Sequence, residues 1–243
     1  MNLWRSILTH KVAAKKLGVD HEVLLLEHGG GKKWRANTGD DWSGVEVAAL
    51  NHYSRDGWHG YPGEGGLMLN LIKAAALPNM HDRDRGSYTE AIFSEIVQLG
   101  DRHPLNEMLN AILAADLAQI KRIFGQMAAP KQMGMVGGST PGDAFYLDSS
   151  MLNYFPHLRE WHFTELFKSI GSKRLHDLAR AFGADPYEYR KGWPDLTLWR
   201  NDKLMFKEIK SPGDRIRASQ RKTICDILLP LGYEVAIVDV VSA

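Results

Sequence analysis

Gly192-Trp193-Pro194-Asp195-Leu196, followed by Phe206-Lys207-Glu208-Ile209-Lys210-Ser211-Pro212-Gly213-Asp214, is the stretch on which the reading of this chain turns. Leu196-Thr197-Leu198-Trp199 has strand composition, Arg200-Asn201-Asp202-Lys203 that of a turn, and Leu204 to Lys210 that of a second strand, so a hairpin is predicted. Side chains alternate along a strand, which puts Glu208 and Lys210 on one face and Ile209 on the other. The backbone carbonyl of Ile209 stays available to a metal, and Asp195, at the mouth of the first strand, can reach across to the same point. Such an oxygen-rich set suits Mg²⁺ or Mn²⁺, and there is no Cys/His cluster of the kind that holds structural zinc. A carboxylate-held metal beside a lysine is what phosphodiester hydrolysis needs. Taken singly, Asp195 could cap the turn after Pro194, and Glu208 and Lys210 could be the solvent face of an edge strand. Their concurrence, with Ser211-Pro212-Gly213-Asp214 directly after, favours a site.

Downstream, Arg215 to Leu229 is expected to be a helix and Tyr233 to Val240 an apolar strand, completing a small α/β sheet. Upstream, helical spacing of apolar residues predicts helices over Leu3 to Leu17, Trp42 to Tyr53 and Gly63 to Ala76, the last stopped by Pro78. Further helices are expected over Ser87 to Leu99 and Leu105 to Phe124. After a glycine-rich break from Gly134 to Gly142 come helical or mixed segments at Leu147 to Tyr154, Trp161 to Ile170 and Leu175 to Phe182. The run Gly57-Trp58-His59-Gly60-Tyr61-Pro62-Gly63 is expected to be an ordered turn that could steer Glu64.

The 243 residues carry 30 Lys and Arg against 29 Asp and Glu, so net charge does not mark the whole protein as a polyanion binder. Local patches must do so: Lys32, Lys33 and Arg35 flank Trp34, and Arg215, Arg217 and Arg221 follow the lysine strand. These are the candidate phosphate contacts. His28 to Trp34 is glycine-rich but lacks the spacing of a phosphate-binding nucleotide loop. The single cysteine, Cys225, excludes an internal disulfide and is expected in the core. No apolar run is long enough to span a bilayer and no secretory signal is visible, so a cytoplasmic location with no membrane partner is expected.

The residues Gly192-Trp-Pro-Asp-Leu196, Glu208-Ile-Lys210 and Ser211-Pro-Gly-Asp-Arg215 resemble the VRR-NUC family, a branch of the PD-(D/E)XK nuclease superfamily. A second match, Gly57-Trp-His-Gly-Tyr-Pro-Gly-Glu-Gly-Gly66, is similar to a segment of its Fanconi-associated members that supplies an early active-site glutamate, here Glu64. The resemblance implies a restriction-endonuclease-like α/β fold, a mixed-sheet core flanked by helices with a mainly helical insertion. Its parts are expected at 1–77, an N-terminal helical part with the first active-site helix; 78–190, the insertion; and 191–243, the catalytic core. It implies Glu64, Asp195, Glu208, Lys210 and Gln220 as catalytic residues, with Glu64, Asp195, Glu208 and the Ile209 carbonyl around Mg²⁺ or Mn²⁺. Glu64 is expected on the first turn of its helix.

The function so implied is metal-dependent hydrolysis of DNA, structure-selective on flapped, nicked or branched substrates. Alternatives are a Holliday-junction resolvase, a restriction or defence nuclease, and a noncatalytic DNA-binding module. The long segment between Glu64 and Asp195 favours a monomer over a homodimer.

Overall fold

The hairpin forms as its composition dictates: β4 (Leu196–Arg200) and β5 (Lys203–Lys210) pair antiparallel with Arg200 opposite Lys203. Asn201 takes the left-handed conformation at φ 56, which asparagine tolerates in a tight hairpin turn. The computed structural model describes residues 3–94, 104–129 and 150–243. Before the hairpin come α1 (Leu3–Leu17), β1 (Asp20–His28), β2 (Trp34–Arg35), α2 (Val45–Arg55), β3 (His59–Pro62) and α3 (Gly66–Ala76). A helical region follows, made of α4 (Asp82–Arg85), α5 (Thr89–Phe93), α6 (Leu105–Ala114), α7 (Leu117–Ala128), α8 (Met151–Tyr154), α9 (Glu160–Gly183) and α10 (Pro186–Tyr189). After the hairpin, α11 (Ala218–Thr223) runs into a π-helical turn, Ile224–Leu228, and the chain reaches β6 (Glu234–Ser242).

The strands form one six-stranded mixed sheet in the order β2-β1-β6-β5-β4-β3. Its centre is parallel, β6 lying between β1 and β5, and its flanks are antiparallel. Central parallel strands are buried on both faces and read as apolar runs, which is the character of Val235 to Val241. One face packs Leu24, Leu26, Leu198, Ile209 and Val238 against Ala48 and Ala49 of α2. A charge buried in this layer is fully partnered: Lys207 pairs with Glu22, which also accepts the Tyr53 hydroxyl at 2.8 Å.

The opposite face is shared by two apolar clusters. Leu204 and Phe206 join the core of α3, α6, α7 and α9, while Ile237 packs with Ala13 and Ala14 of α1 and with Ile216. Glu208 lies where they meet, since Phe206 precedes it by one alternation on β5 and Ile237 is its ladder partner on β6. The result is a mixed sheet flanked by helices with a helix-rich region at one side, a restriction-endonuclease-like architecture.

Several expectations are corrected. The N-terminal part is not only helical: Asp20–His28 is a full strand, and the glycine–aromatic turn contains β3, an edge strand paired with β4. The helix expected from Leu105 to Phe124 is two, separated where Asp116 caps α7 by accepting the Gln119 N–H at 2.8 Å. The helix expected from Arg215 begins at Ala218 and loosens into the π turn. Cys225 is exposed, because the buried side of that turn is Ile224, Ile227 and Leu228. The glycine-rich break at 134–142 and parts of the segments expected at Ser87 to Leu99 and Leu147 to Tyr154 lie outside the described residues. Among the described residues no helix is long and apolar enough to cross a membrane.

Candidate active site

The two motifs are locked together through glycines. Gly65 has φ 82, and a Cβ there would stand 2.4 Å from the ring of Trp193, so the tryptophan of the second motif lies directly on the backbone of the first. Trp193 is fully buried and donates its indole N–H to the Tyr189 carbonyl at 2.8 Å. Beside it, the Gly63 N–H donates to the Asp195 carbonyl at 3.0 Å. Gly192, at φ 84, approaches α11 so closely that a Cβ would meet the Ser219 carbonyl oxygen at 2.3 Å. These contacts bring Asp195, the Glu64 loop and α11 to the end of β5.

Asp195 accepts the backbone N–H of Ile209 on Oδ2 at 2.8 Å, which ties the mouth of β4 to the C-terminal end of β5. Glu208, at 0% exposure, presents Oε1 to Lys210 Nζ and to Gln220 Nε2. Gln220 is oriented by its other end, since its Oε1 accepts the Arg217 N–H at 2.7 Å. Glu208 Oε2 is buried and receives no hydrogen bond, and the Glu208 carboxyl lies within hydrogen-bonding reach of the Asp195 carboxyl, so the two can share a proton. Burial first, and then the neighbouring Asp195 carboxylate, push the Glu208 carboxyl up to about 8, against the opposing effect of Lys210. Burial likewise raises Asp195, with Lys210 and the Ile209 N–H acting the other way.

Two buried carboxyl groups side by side, one of whose oxygens receives no hydrogen bond, are stable only with a proton or a cation between them. A divalent cation with a preference for oxygen ligands fits this pair. Among the described residues no group of three or more His, Cys, Asp or Glu side chains gathers as a ligand set, which reflects where Glu64 stands. It is not on the first turn of α3 but precedes it, at φ 35 and half exposed, and Arg217 Nη2 holds its Oε1 at 2.8 Å. Arg217 also feels Glu208 and Asp195, both of which raise its proton affinity, so Glu64 meets the buried pair through this arginine.

Sequence reading passed over Glu46. It lies on the first turn of α2, and its charge raises the Asp195 carboxyl, which makes it a further acidic neighbour of the pair. The available signal was an acid at the start of an expected helix, which is too common to single out. Of the basic residues, Arg35 is forked onto Glu27, with Nε at 2.8 Å and Nη2 at 2.6 Å from Oε2, so its charge is already engaged. Lys32, Lys33, Arg215 and Arg221 are exposed. Lys32 and Glu46 line a groove of about 570 Å³ together with Ser211 and Asp214, the residues that follow the lysine strand.

Residues 146–242 match the VRR-NUC domain. The chain's similarity reaches beyond the domain. Fanconi-associated nuclease 1 of Homo sapiens is 27% identical over 209 residues, covering 82% of this chain and 19% of the relative. The Mus musculus protein of the same name is 25% identical over 236 residues, covering 93% and 21%, and the Schizosaccharomyces pombe homolog is 24% identical over 195 residues, covering 77% and 26%. The chain thus spans about a quarter or less of the length of these relatives. The fold is shared with paFAN1 in crystal structures bound to 1nt and 2nt 5′flap DNA with gap, at TM-scores of 0.53 and 0.52, 17% identity, and coverage of 95% of this chain and 41% of that one.

Proposed function

We propose that this chain is a divalent-metal-dependent deoxyribonuclease that acts on flapped or branched DNA. The observation that carries the chemistry is Glu208, buried with one oxygen held by Lys210 and Gln220 and the carboxyl set directly against that of Asp195, whose charge helps raise its pKa. The substrate class is supported by the fold shared with paFAN1 and by similarity to the Fanconi-associated nucleases.

Asp195, Glu208 Oε2 and the Ile209 carbonyl would hold Mg²⁺ or Mn²⁺, with Glu64 at the rim and Glu46 as a further acidic neighbour. When bound, the ion polarises the phosphoryl oxygen and lowers the pKa of a water. Lys210, fixed on Glu208 Oε1, keeps its cation where negative charge grows on the phosphate in the transition state. Gln220 orients Glu208 from the other side, leaving Oε2 for the metal. Arg217 keeps Glu64 near the pair while leaving it exposed to substrate. Lys32, Lys33, Arg215 and Arg221 would meet backbone phosphates, giving affinity that follows DNA shape rather than base sequence.

Cleavage of 5′-flap, 3′-flap, nicked, single-stranded and four-way substrates with Mg²⁺, Mn²⁺ or chelator tests this. The expected result is metal-dependent cutting near the flap junction, absent in Asp195→Ala. Cutting that survives chelator or that substitution would refute the site. Paired symmetric cuts in the four-way substrate would instead point to a resolvase.

A further inference from the structure

His10 and Asp239 lie outside the described site, yet each is only 3% exposed. His10 comes from α1, and its ring is held from two sides: Nδ1 is 2.6 Å from Asp239 Oδ1, and Nε2 is 3.1 Å from the backbone carbonyl oxygen of Asp214. Asp239 is the ladder partner of Lys210, and its Oδ2 meets a second histidine, Nε2 of His21 on β1, at 2.7 Å. A neutral imidazole carries a single N–H. Facing a carboxylate and a carbonyl, it satisfies one contact and turns a lone pair onto oxygen at the other. Both contacts together need one proton more than a neutral imidazole and a carboxylate hold between them.

The Asp239 carboxylate raises the proton affinity of His10 above the ordinary histidine value, most of all through its hydrogen bond; burial opposes it, the Asp214 carbonyl assists, and the Lys210 cation opposes. The groups facing the ring are therefore Asp239 from β6 with His21 behind it, Lys210 from β5, and the carbonyl of the loop.

Asp214 closes the turn after Lys210, its carboxylate accepting the Ser211 N–H at 2.8 Å and its own N–H donating to the Ser211 carbonyl at 3.0 Å. Shortly after it, Ile216 packs on Ala13 and Ala14 of α1. Arg217 then holds Glu64 and opens the helix that delivers Gln220 to Glu208.

We propose that His10, as an imidazolium paired with Asp239, is a positioning residue that fixes the Asp214 carbonyl and thereby the segment setting Arg217 and Gln220 against Glu64 and Glu208. It touches no reacting atom. Its effect on rate rests on the nuclease reading above; its effect on the loop does not. Because the histidine pKa is raised, both contacts are held below the unfolded-state value, and one is lost as pH climbs through the folded-state value.

Asp239→Asn separates this role from a merely structural one. Asparagine offers its N–H to Nδ1 of a neutral His10 and its oxygen to His21, so that Nε2–H of His10 still reaches Asp214 without the extra proton. The measurement is nitrogen-15 NMR of the metal-free full chain from mildly acid to alkaline pH, following the His10 ring and the backbone amides of Ser211 to Gln220.

In the wild type, His10 is expected to be doubly protonated at neutral pH, with the Asp214 to Gln220 amides shifting as it titrates. In Asp239→Asn the ring is singly protonated and those amides hold still. His10→Gln should keep them at their alkaline wild-type positions at every pH and lower single-turnover cleavage about tenfold, as loss of outer-shell partners does.

A singly protonated His10 in the neutral wild type, or titration of His10 with no movement at Asp214 to Gln220, overturns the proposal. If the wild type cuts no DNA, the nuclease reading falls while the NMR result still decides the latch. Should His10→Gln not fold, the comparison of wild type with Asp239→Asn suffices.

Discussion

Arg217 places Nη2 2.8 Å from Glu64 Oε1, joining the start of α11 to a loop 153 positions earlier in the chain. Both side chains are about half exposed, at 54% and 50%, and an ion pair so placed contributes roughly 0.2–1 kcal/mol to stability. The pair therefore matters more for the field at the site than for the fold.

Arg217→Ala should leave the melting temperature nearly unchanged, since only an exposed pair is lost. It adds one unit of negative charge beside Asp195 and Glu208, so metal should bind more tightly and DNA more weakly. Calorimetric Mg²⁺ titration and a KM for flap DNA check this together; no change in either would mean that Glu64 and its arginine stand apart from the chemistry.

Glu208→Gln should abolish cleavage, with a loss of more than about 100-fold, because a metal ligand is removed. It should barely affect the stability of the metal-free protein at neutral pH. With its carboxyl pushed up to about 8, Glu208 is largely protonated there already, and glutamine reproduces the neutral form. Asp195→Ala should lose cleavage similarly, and DNA affinity should persist in both variants. Near-wild-type turnover of either at saturating Mg²⁺ would remove it from the site.

The same carboxyl predicts a pH dependence with a definite sign. In the fold Glu208 keeps its proton up to about 8, whereas in an unfolded chain it loses it near the ordinary glutamate value of 4.5. Between those values the folded state binds more protons, so the metal-free protein loses stability as pH rises through that window. Metal binding must displace the proton, so at neutral pH it should release protons to the buffer and strengthen as pH climbs toward about 8. Calorimetry in two buffers of different ionisation enthalpy measures the release; equal heats in both would contradict it.

Gly192→Ala should be costly. The φ of 84 disfavours any side chain, and the new methyl would meet backbone, the Ser219 carbonyl at 2.3 Å, which cannot swing aside. A loss of about 1–3 kcal/mol is expected, typical of overpacking, and the shift of α11 should draw Gln220 away from Glu208. Urea unfolding tests the first part, and a fall in turnover greater than the loss of folded protein tests the second.

The hairpin and the strand after it were legible in the sequence, because Leu196 to Trp199 and Tyr233 to Val240 are apolar runs with turn residues between the paired strands. β1 was not: Asp20–His28 is a short apolar run, Val23 to Leu26, flanked by Asp, His and Glu with no alternation to mark a strand, and its strand character depends on the parallel ladder with β6, a pairing no local window contains. Likewise, Asp195, Glu208 and Lys210 come together as the hairpin and strand alternation suggested, and Gln220, which only the family resemblance implied, reaches Glu208 from the helix that follows. The position of Glu64 was set instead by Gly65, whose contact with Trp193 forces a left-handed turn where an acid at a helix start was expected. Cys225 was misjudged because apolar neighbours in a helix do not specify which side is buried.

β6 is the last strand in sequence, yet it occupies the middle of the sheet, between β1 and β5. During synthesis, the strands of the two flanks, β2-β1 on one side and β5-β4-β3 on the other, therefore leave the ribosome before the strand that joins them, and any pairing among them leaves the β1 and β5 edges open. Until Glu234–Ser242 emerges and slides between them, His10 has no Asp239 to pair with and Glu208 has no ladder partner. The carboxyl pair and the His10–Asp239 contact are thus not assembled until nearly all of this sequence has been made. The exposed edges the nascent chain carries meanwhile are the kind that invite pairing with other chains.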